Sequence, residues 1–239
     1  SNGGIVLIGV VNTSEEARPK NHGNPWTKAL EVELMECIDR GYSSKEIAKK
    51  FERTTISIEL TIRRIKIDKL LKQRNVERLV HFTDMRNLNS IIKFGILPTE
   101  RLKEKNIKYY FNDEQRLDAQ LGGSSVSITG LNKHLLRTFQ RRNKRRWIEI
   151  EINPSVAARR KCLFYSSNAA SSIFREATEE YLSSYDALIS MFAETVKSST
   201  RTFKRKNKQP NQTTDDQAEI IVKWMIPCSQ ILGWKEINV

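Results

Sequence analysis

The sequence predicts an α+β domain preceded by a small three-helix module. Three observations carry this. Apolar residues recur at helical spacing from Trp26 to Ile67. Beyond Arg78, short strands and helices interleave irregularly, which favours α+β over a doubly wound parallel sheet. No glycine-rich phosphate loop is present, so a nucleotide, if bound, is held in another way.

The first module spans residues 24–75. Leu30, Leu34 and Ile38, with Val32 and Met35, form one apolar stripe. Gly41 stops that helix, and Ser43 or Ser44 can cap the next. Ile47, Ala48 and Phe51 form a second, shorter stripe; Arg53 and Thr54 make a turn, and Thr55 to Ile67 is a third helix. This outline, with Pro-Trp-Thr at its start and Ser-Lys-Glu-Ile-Ala in its second helix, resembles Myb-like helix-turn-helix modules. The resemblance implies contact with duplex DNA through the last helix, which offers Ser57, Arg63 and Arg64. Residues 24–75 hold 12 basic and 8 acidic residues, which does not separate DNA contact from dimerisation or packing.

Ahead of it, residues 1–23 read as an arm. Ser1-Asn2-Gly3-Gly4 has the character of a tag remnant, Ile5 to Val11 is a short candidate strand, and Pro19, Gly23 and Pro25 mark a loop. Residues 76–239 carry the larger domain. Strands are expected at Arg78–Thr83, Ser124–Thr129, Trp147–Ile152 and Glu219–Trp224. Helices are expected at Asn87–Phe94, ended by Gly95, and at Ile173–Tyr181 and Ser184–Val196.

Composition narrows the class. With 239 residues, 38% of them hydrophobic and 29% charged, the chain can bury a substantial core. A formal net charge of +13 points to an anionic partner, foremost nucleic acid. Cys37, Cys162 and Cys228 are odd in number and far apart, which argues against a disulfide framework and a zinc site and fits the cytoplasm. No apolar run reaches the length of a membrane span, and no metal is expected.

Three side chains are candidates for chemistry. His81 lies on or just after a strand, where a neutral imidazole can hydrogen-bond a ribose hydroxyl. Glu219 directly precedes the apolar run Ile-Ile-Val, so its carboxylate sits at the mouth of a buried strand and suits a base or a stabiliser of developing positive charge. Arg116 lies in a polar segment and offers the paired donors that suit a pyrophosphate. Each has an ordinary structural reading: a satisfied core histidine, a solvated strand-start carboxylate and a surface ion pair.

Their order and surroundings carry a resemblance. Leu79-Val80-His81-Phe82-Thr83-Asp84 with Arg86-Asn87-Leu88, then Arg116-Leu117-Asp118, Ser124-Ser125-Val126-Ser127-Ile128, Ser167-Asn168-Ala169-Ala170-Ser171, and Gln217-Ala218-Glu219-Ile220-Ile221-Val222 resemble the DarT family over nearly all of residues 78–232. The resemblance implies an ADP-ribosyltransferase-like split-sheet fold with NAD+ as substrate, held in a cleft between two small sheets. It implies transfer of ADP-ribose to thymine or guanine in single-stranded DNA, and a toxin of a toxin–antitoxin or phage-defence system whose antitoxin is a macrodomain. By matching position, His81, Thr83, Asn87 and Arg116 would bind NAD+, and Glu219 would be the catalytic carboxylate, with Arg116 and His81 beside it. Tyr109, Tyr110 and Phe111 offer stacking surfaces.

Two basic runs then gain a use. Residues 133–146 carry seven Lys or Arg and no acid, among them Arg141, Arg142, Lys144, Arg145 and Arg146. Residues 197–208 carry six, among them Lys204, Arg205 and Lys206, and again no acid. Beside the cleft, both would draw a phosphate backbone. The competing readings are the same transferase acting on RNA, and a DNA-binding regulator whose second domain senses NAD+.

Overall fold

The computed structural model describes residues 18–110, 122–130 and 145–237. The chain divides into two compact units, Ser1–Ile62 and Arg63–Val239. The division falls inside the third helix, earlier than the boundary after residue 75 that the sequence pattern marks.

The first unit holds α1 (Lys28–Asp39), α2 (Ser44–Phe51) and the start of α3 (Thr55–Gln73). Thr27 caps α1 by accepting the Leu30 N–H. Ser43 and Glu46 form a reciprocal capping box: the serine hydroxyl accepts the Glu46 N–H, and the carboxylate accepts the Ser43 N–H at 2.8 Å. Leu34, Ile47 and Ile58 are at most 1% exposed and form the interior of the unit. Arg53 is no surface turn residue. It donates to the carbonyls of Asn24 (2.7 Å) and Pro25 (3.2 Å), and its guanidinium lies 4.3 Å over the Trp26 ring.

The second unit is built on a six-stranded antiparallel sheet of order β4-β7-β2-β1-β3-β8. The strands are β1 (Leu79–Asp84), β2 (Gly123–Ile128), β3 (Trp147–Ile152), β4 (Cys162–Tyr165), β7 (Glu219–Lys223) and β8 (Ile231–Glu236). A separate hairpin pairs β5 (Thr195–Lys197) with β6 (Thr202–Lys204). Helices α4 (Leu88–Phe94), α5 (Thr99–Glu104), α6 (Ser155–Arg159), α7 (Glu179–Leu182) and α8 (Tyr185–Ser190) complete the described elements. Ile148, Ile150 and Ile152 of β3 join Val126, Ile128, Ile220 and Val222 in one core with Leu188 and Met191. Their burial removes apolar area from water at roughly 25 cal/mol per Å², the main force holding this unit together.

The α+β expectation holds, and so does the split sheet. Strand β2 changes partner along its length: Gly123–Val126 pair with β7, while only Ser127 and Ile128 pair with β1. Strand β1 meanwhile pairs with β3 along all six residues. The sheet is therefore two three-stranded halves joined by a two-residue ladder, and it opens beyond Val80 and Ser127.

Two glycines allow this geometry. At Gly123 a Cβ would sit 2.5 Å from the Ile221 Cγ2 and 2.8 Å from the Val222 carbonyl oxygen, so the close approach of β2 to β7 excludes a side chain. Gly95 ends α4 with φ +79°, and a Cβ there would meet the Ile226 oxygen at 2.2 Å. That contact adjoins the bridge in which Ile96 and Ile226 exchange two 2.9 Å hydrogen bonds.

Some expected elements are corrected. The helix expected over Ile173–Tyr181 is a 3-10 turn at Ser172–Phe174 and a separate short helix, because Thr178 accepts the Tyr181 N–H and caps a new start. The helix expected from Ser184 to Val196 ends at Ser190, and Thr195–Lys197 is a strand. The candidate strand Ile5 to Val11 lies outside the described residues.

Candidate active site

The site lies where the sheet opens. Beyond Val80, β1 has no ladder bonds to β2, yet His81 still reaches across: its Nδ1 lies 2.8 Å from the Ser125 carbonyl oxygen. A carbonyl only accepts, so Nδ1 carries the proton and a neutral ring has Nε2 as acceptor. A side chain thus supplies the bond that the backbone ladder would have made.

The same serine holds Glu219. The Ser125 hydroxyl donates to the Glu219 Oε2 at 2.5 Å, and the Ala169 N–H donates to Oε1 at 2.6 Å. The serine distance falls in the charge-assisted range for an O–H donor. Glu219 is half-buried at the first position of β7, and Tyr165 stands opposite it on β4. Burial, then the Glu219 and Glu179 charges, pushes the Tyr165 phenol up to about 12, so it stays a neutral neighbour of the carboxylate. The turn before Glu219 is equally fixed. Asp215 is 1% exposed, accepts from the Ser167 hydroxyl at 2.6 Å, and accepts from the Gln217 N–H at 2.8 Å. His81, Ser125 and Glu219 are therefore one connected group, drawn from three strands that are distant in sequence.

A cleft of about 590 Å³, open mouth included, runs along the β1 side of this opening, and His81, Thr83, Asn87, Tyr109, Tyr110 and Ser124 line it. Asn87 is committed to its own chain. Its amide donates to the Thr83 hydroxyl and to the Tyr110 carbonyl, both at 2.9 Å, and its oxygen accepts the Tyr110 N–H at 2.8 Å. It acts as a clamp that sets the tyrosine wall.

The other candidates fall into three groups. Arg116, Arg141, Arg142, Lys144 and Phe111 lie outside the described residues. Lys204 and Lys206 are exposed on and after β6, and Arg145 lies 4.0 Å from the Asp84 carboxylate. Arg146 makes a forked pair with Glu236, both contacts at 2.7 Å. Arg64 lies 3.8 Å from Asp68.

Two residues expected to contact nucleic acid make bonds within the chain. Arg205 is 9% exposed and donates to the carbonyls of Gln209 (3.0 Å), Pro210 (3.1 Å) and Gln212 (2.9 Å), which ties down the loop ahead of Glu219. Arg63 is half-buried: its Nε donates to the Ser183 carbonyl at 2.6 Å and its guanidinium faces the Phe164 ring at 5.7 Å. A run of basic letters cannot show which members turn inward.

Sequence reasoning missed Ser125 and Ala169 as the groups that hold Glu219. Their segments were visible, but their meeting depends on strand register. Cys37, Cys162 and Cys228 are unpaired, Cys162 fully buried with its thiol pushed up to about 12 by desolvation. Among the described residues no group of three His, Cys, Asp or Glu could hold a metal ion, and no helix is long and apolar enough to cross a membrane.

The described site is thus a carboxylate pinned at the start of β7 and a histidine across the gap where β1 and β2 part. Residues 80–234 match the family described as "ssDNA thymidine ADP-ribosyltransferase, DarT", and the chain belongs to that family. Among solved structures it is similar to Thermosipho africanus DarTG in complex with ADP-ribose, with a TM-score of 0.40 and 15% identity. That similarity covers 66% of this chain and 43% of the DarTG chain, so the match spans less than half of that protein. No curated protein matches the sequence.

Proposed function

We propose that this chain transfers ADP-ribose from NAD+ to a base of single-stranded DNA, with Glu219 as the catalytic carboxylate, and that it acts as the toxin of a toxin–antitoxin pair. The observation that carries the proposal is the Glu219 carboxylate, fixed by Ser125 and Ala169 at the mouth of the opened sheet. Membership of the DarT family names the chemistry.

In that reaction the bond from the ribose anomeric carbon to nicotinamide breaks, nicotinamide leaves as the neutral amide, and a bond to a base nitrogen forms while that nitrogen gives its proton to the Glu219 carboxylate. The residues divide the work. The Glu219 carboxylate is fixed in direction by the Ser125 hydroxyl and the Ala169 N–H, and a carboxylate so held suits accepting from a ribose hydroxyl and stabilising positive charge at the sugar. His81, locked by Ser125, presents one edge to the cleft, and Tyr109 and Tyr110 supply the aromatic wall. Arg116 is the proposed phosphate ligand.

The target base is thymine in this reading, following the family description, with guanine and RNA bases as the other outcomes of the test. Lys204, Lys206 and the basic run at 133–146 are proposed to hold the strand. The partner is proposed to be a macrodomain antitoxin, in the cytoplasm. Transfer of label from NAD+ to matched DNA and RNA oligonucleotides is the test. Label on DNA that disappears in Glu219→Ala supports the proposal; label on RNA alone changes the polymer; label on neither sinks it.

For the N-terminal unit the surface favours packing or self-association over duplex binding. The exposed positions on the first turns of α3 are Ile56 (68%), Glu59 and Leu60 (60%), with no basic side chain among them. Residues 18–62 hold 8 basic and 7 acidic residues, almost no net charge to meet a phosphate backbone. A mobility shift with duplex DNA that persists in Ile56→Ser/Leu60→Ser but is lost on replacing Lys45 and Lys49 would overturn this reading.

A further inference from the structure

The end of β1 carries a charged group that the transfer chemistry above does not use. Asp84, the last residue of β1, is an acid only 1% exposed. Its carboxylate accepts three hydrogen bonds from one residue: the Arg86 N–H at 2.9 Å, Nε at 2.9 Å and Nη2 at 2.7 Å. Burial by itself would raise this carboxyl, but the Arg86 bonds, and then the Arg86 and Arg145 charges, hold it below the usual carboxylate range. It is therefore ionised and serves as a fixed anchor for a guanidinium.

That guanidinium is placed with care. Its Cζ lies 3.8 Å from the centre of the Tyr110 ring, and Tyr110 is itself a wall of the cleft, clamped by Asn87. The Arg86 side chain remains 49% exposed, and its Nη1 makes no hydrogen bond among the described residues. A second cation is set beside it by the sheet. Asp84 pairs with Trp147 in the β1–β3 register, and the Met85 N–H bonds the Arg146 carbonyl at 3.0 Å, so Arg145 arrives with its Nε 4.0 Å from the Asp84 Oδ2. Lys108 adds a third, 5.4 Å from the Tyr110 ring. Two guanidinium groups thus flank one buried carboxylate, and a lysine stands by the same aromatic ring. A half-exposed guanidinium held on a rigid aromatic seat, with an N–H edge that makes no hydrogen bond among the described residues, suits the oxygens of a phosphate group.

We propose that Arg86, oriented by Asp84 and Tyr110 and backed by Arg145, is a phosphate-binding element at the rim of the cleft. The phosphate has two candidate sources, the pyrophosphate of the dinucleotide or a phosphodiester of the acceptor strand. The identity of the source, and only that, rests on the transferase reading.

Calorimetric binding of two probes, ADP-ribose and a single-stranded DNA decamer at two salt concentrations, tests it with Arg86→Gln in the full chain. The expected result is about a tenfold weaker binding of one probe, the loss of one charge-assisted contact. If the strand is the source, the decamer weakens and the salt dependence of its binding falls by about one ion. If the dinucleotide is the source, ADP-ribose weakens and the decamer does not. Arg86→Lys is expected to recover part of the lost affinity. Unchanged binding of both probes by a folded Arg86→Gln overturns the proposal. Should that variant not fold, Arg145→Gln leaves the Asp84–Arg86 pair in place and is expected to weaken the same probe; unchanged binding there overturns it equally. A wild-type protein that binds ADP-ribose but transfers no label overturns the transferase reading alone, and one that binds neither probe overturns both.

Discussion

The two units use the same polar side chains to different ends. In the N-terminal unit, Ser43, Glu46, Thr27 and Arg53 complete helix ends and turns; their hydrogen bonds go to groups that a helix necessarily leaves unpaired. In the C-terminal unit, His81 bonds the Ser125 carbonyl across the gap where β1 and β2 part, and the Ser125 hydroxyl bonds Glu219 within the other half of the sheet. The first set finishes regular structure, and the second stands in for regular structure that is absent. A hydrogen-bonded polar group is thus a poor sign of function by itself. What distinguishes the site is that one serine ties a carboxylate to a histidine on the far side of the gap where β1 and β2 part.

Four substitutions would break or sharpen that contrast. Glu219→Gln keeps shape and removes charge; transfer to the oligonucleotide is expected to fall by about a thousandfold, with the thermal midpoint near that of the wild type. A large drop in the midpoint instead would show that the carboxylate is structural. Ser125→Ala removes the donor to Glu219 but keeps the carbonyl that receives His81. A fall in kcat of roughly ten- to a hundredfold, with KM for NAD+ little changed, is expected for a positioning role. An equal effect on KM would place the serine in substrate binding.

Arg205→Met leaves the carbonyls of the 209–212 turn without their donor. Chemical denaturation should show a loss of about 2 kcal/mol, and transfer should fall only as far as the loop loosens. A variant as stable as wild type that has lost strand binding would return Arg205 to the nucleic-acid surface. The smallest effect belongs to the N-terminal unit. Ser43→Ala removes a helix cap and should cost about 1 kcal/mol, with transfer untouched. The pH dependence of that unit follows from the same box. The Glu46 carboxyl is lowered in the folded state by the Ser43 bonds, so its contribution is present at neutral pH and is lost as pH falls through its folded value. A stability that rises on acidification below pH 4 would contradict it.

Much of this was readable in the sequence, for reasons particular residues make plain. Strands β1, β2, β3 and β7 were visible as short apolar or alternating runs closed by turn residues, and Gly95 marked the end of α4. Strand β4 escaped because Cys162–Tyr165 is four residues long and buried on both faces, so it shows no alternation. Strand β8 escaped because it is an edge strand interrupted by Gly233, with Leu232 and Trp234 facing out at 55% and 45% exposure. His81, Thr83 and Glu219 were legible through a family resemblance. Ser125 was not, since its role arises from the register that sets β2 between β1 and β7. The inward turn of Arg63 and Arg205 was hidden for the complementary reason: charge is written in the sequence, but direction is not.

The hand-over of β2 from one neighbour to the other has a mechanical meaning. Each half of the sheet is a complete three-stranded body, and two residue pairs form the seam between them. Angle between the halves is therefore the cheapest coordinate of this sheet to alter, since no pair within either half has to part. A dinucleotide lodged in the gap would act as a fourth partner for both, so that occupancy and stiffness rise together. In amide exchange, the facing edges of β1 and β2 would be the first to slow when the gap is filled, so the seam would report its own occupancy.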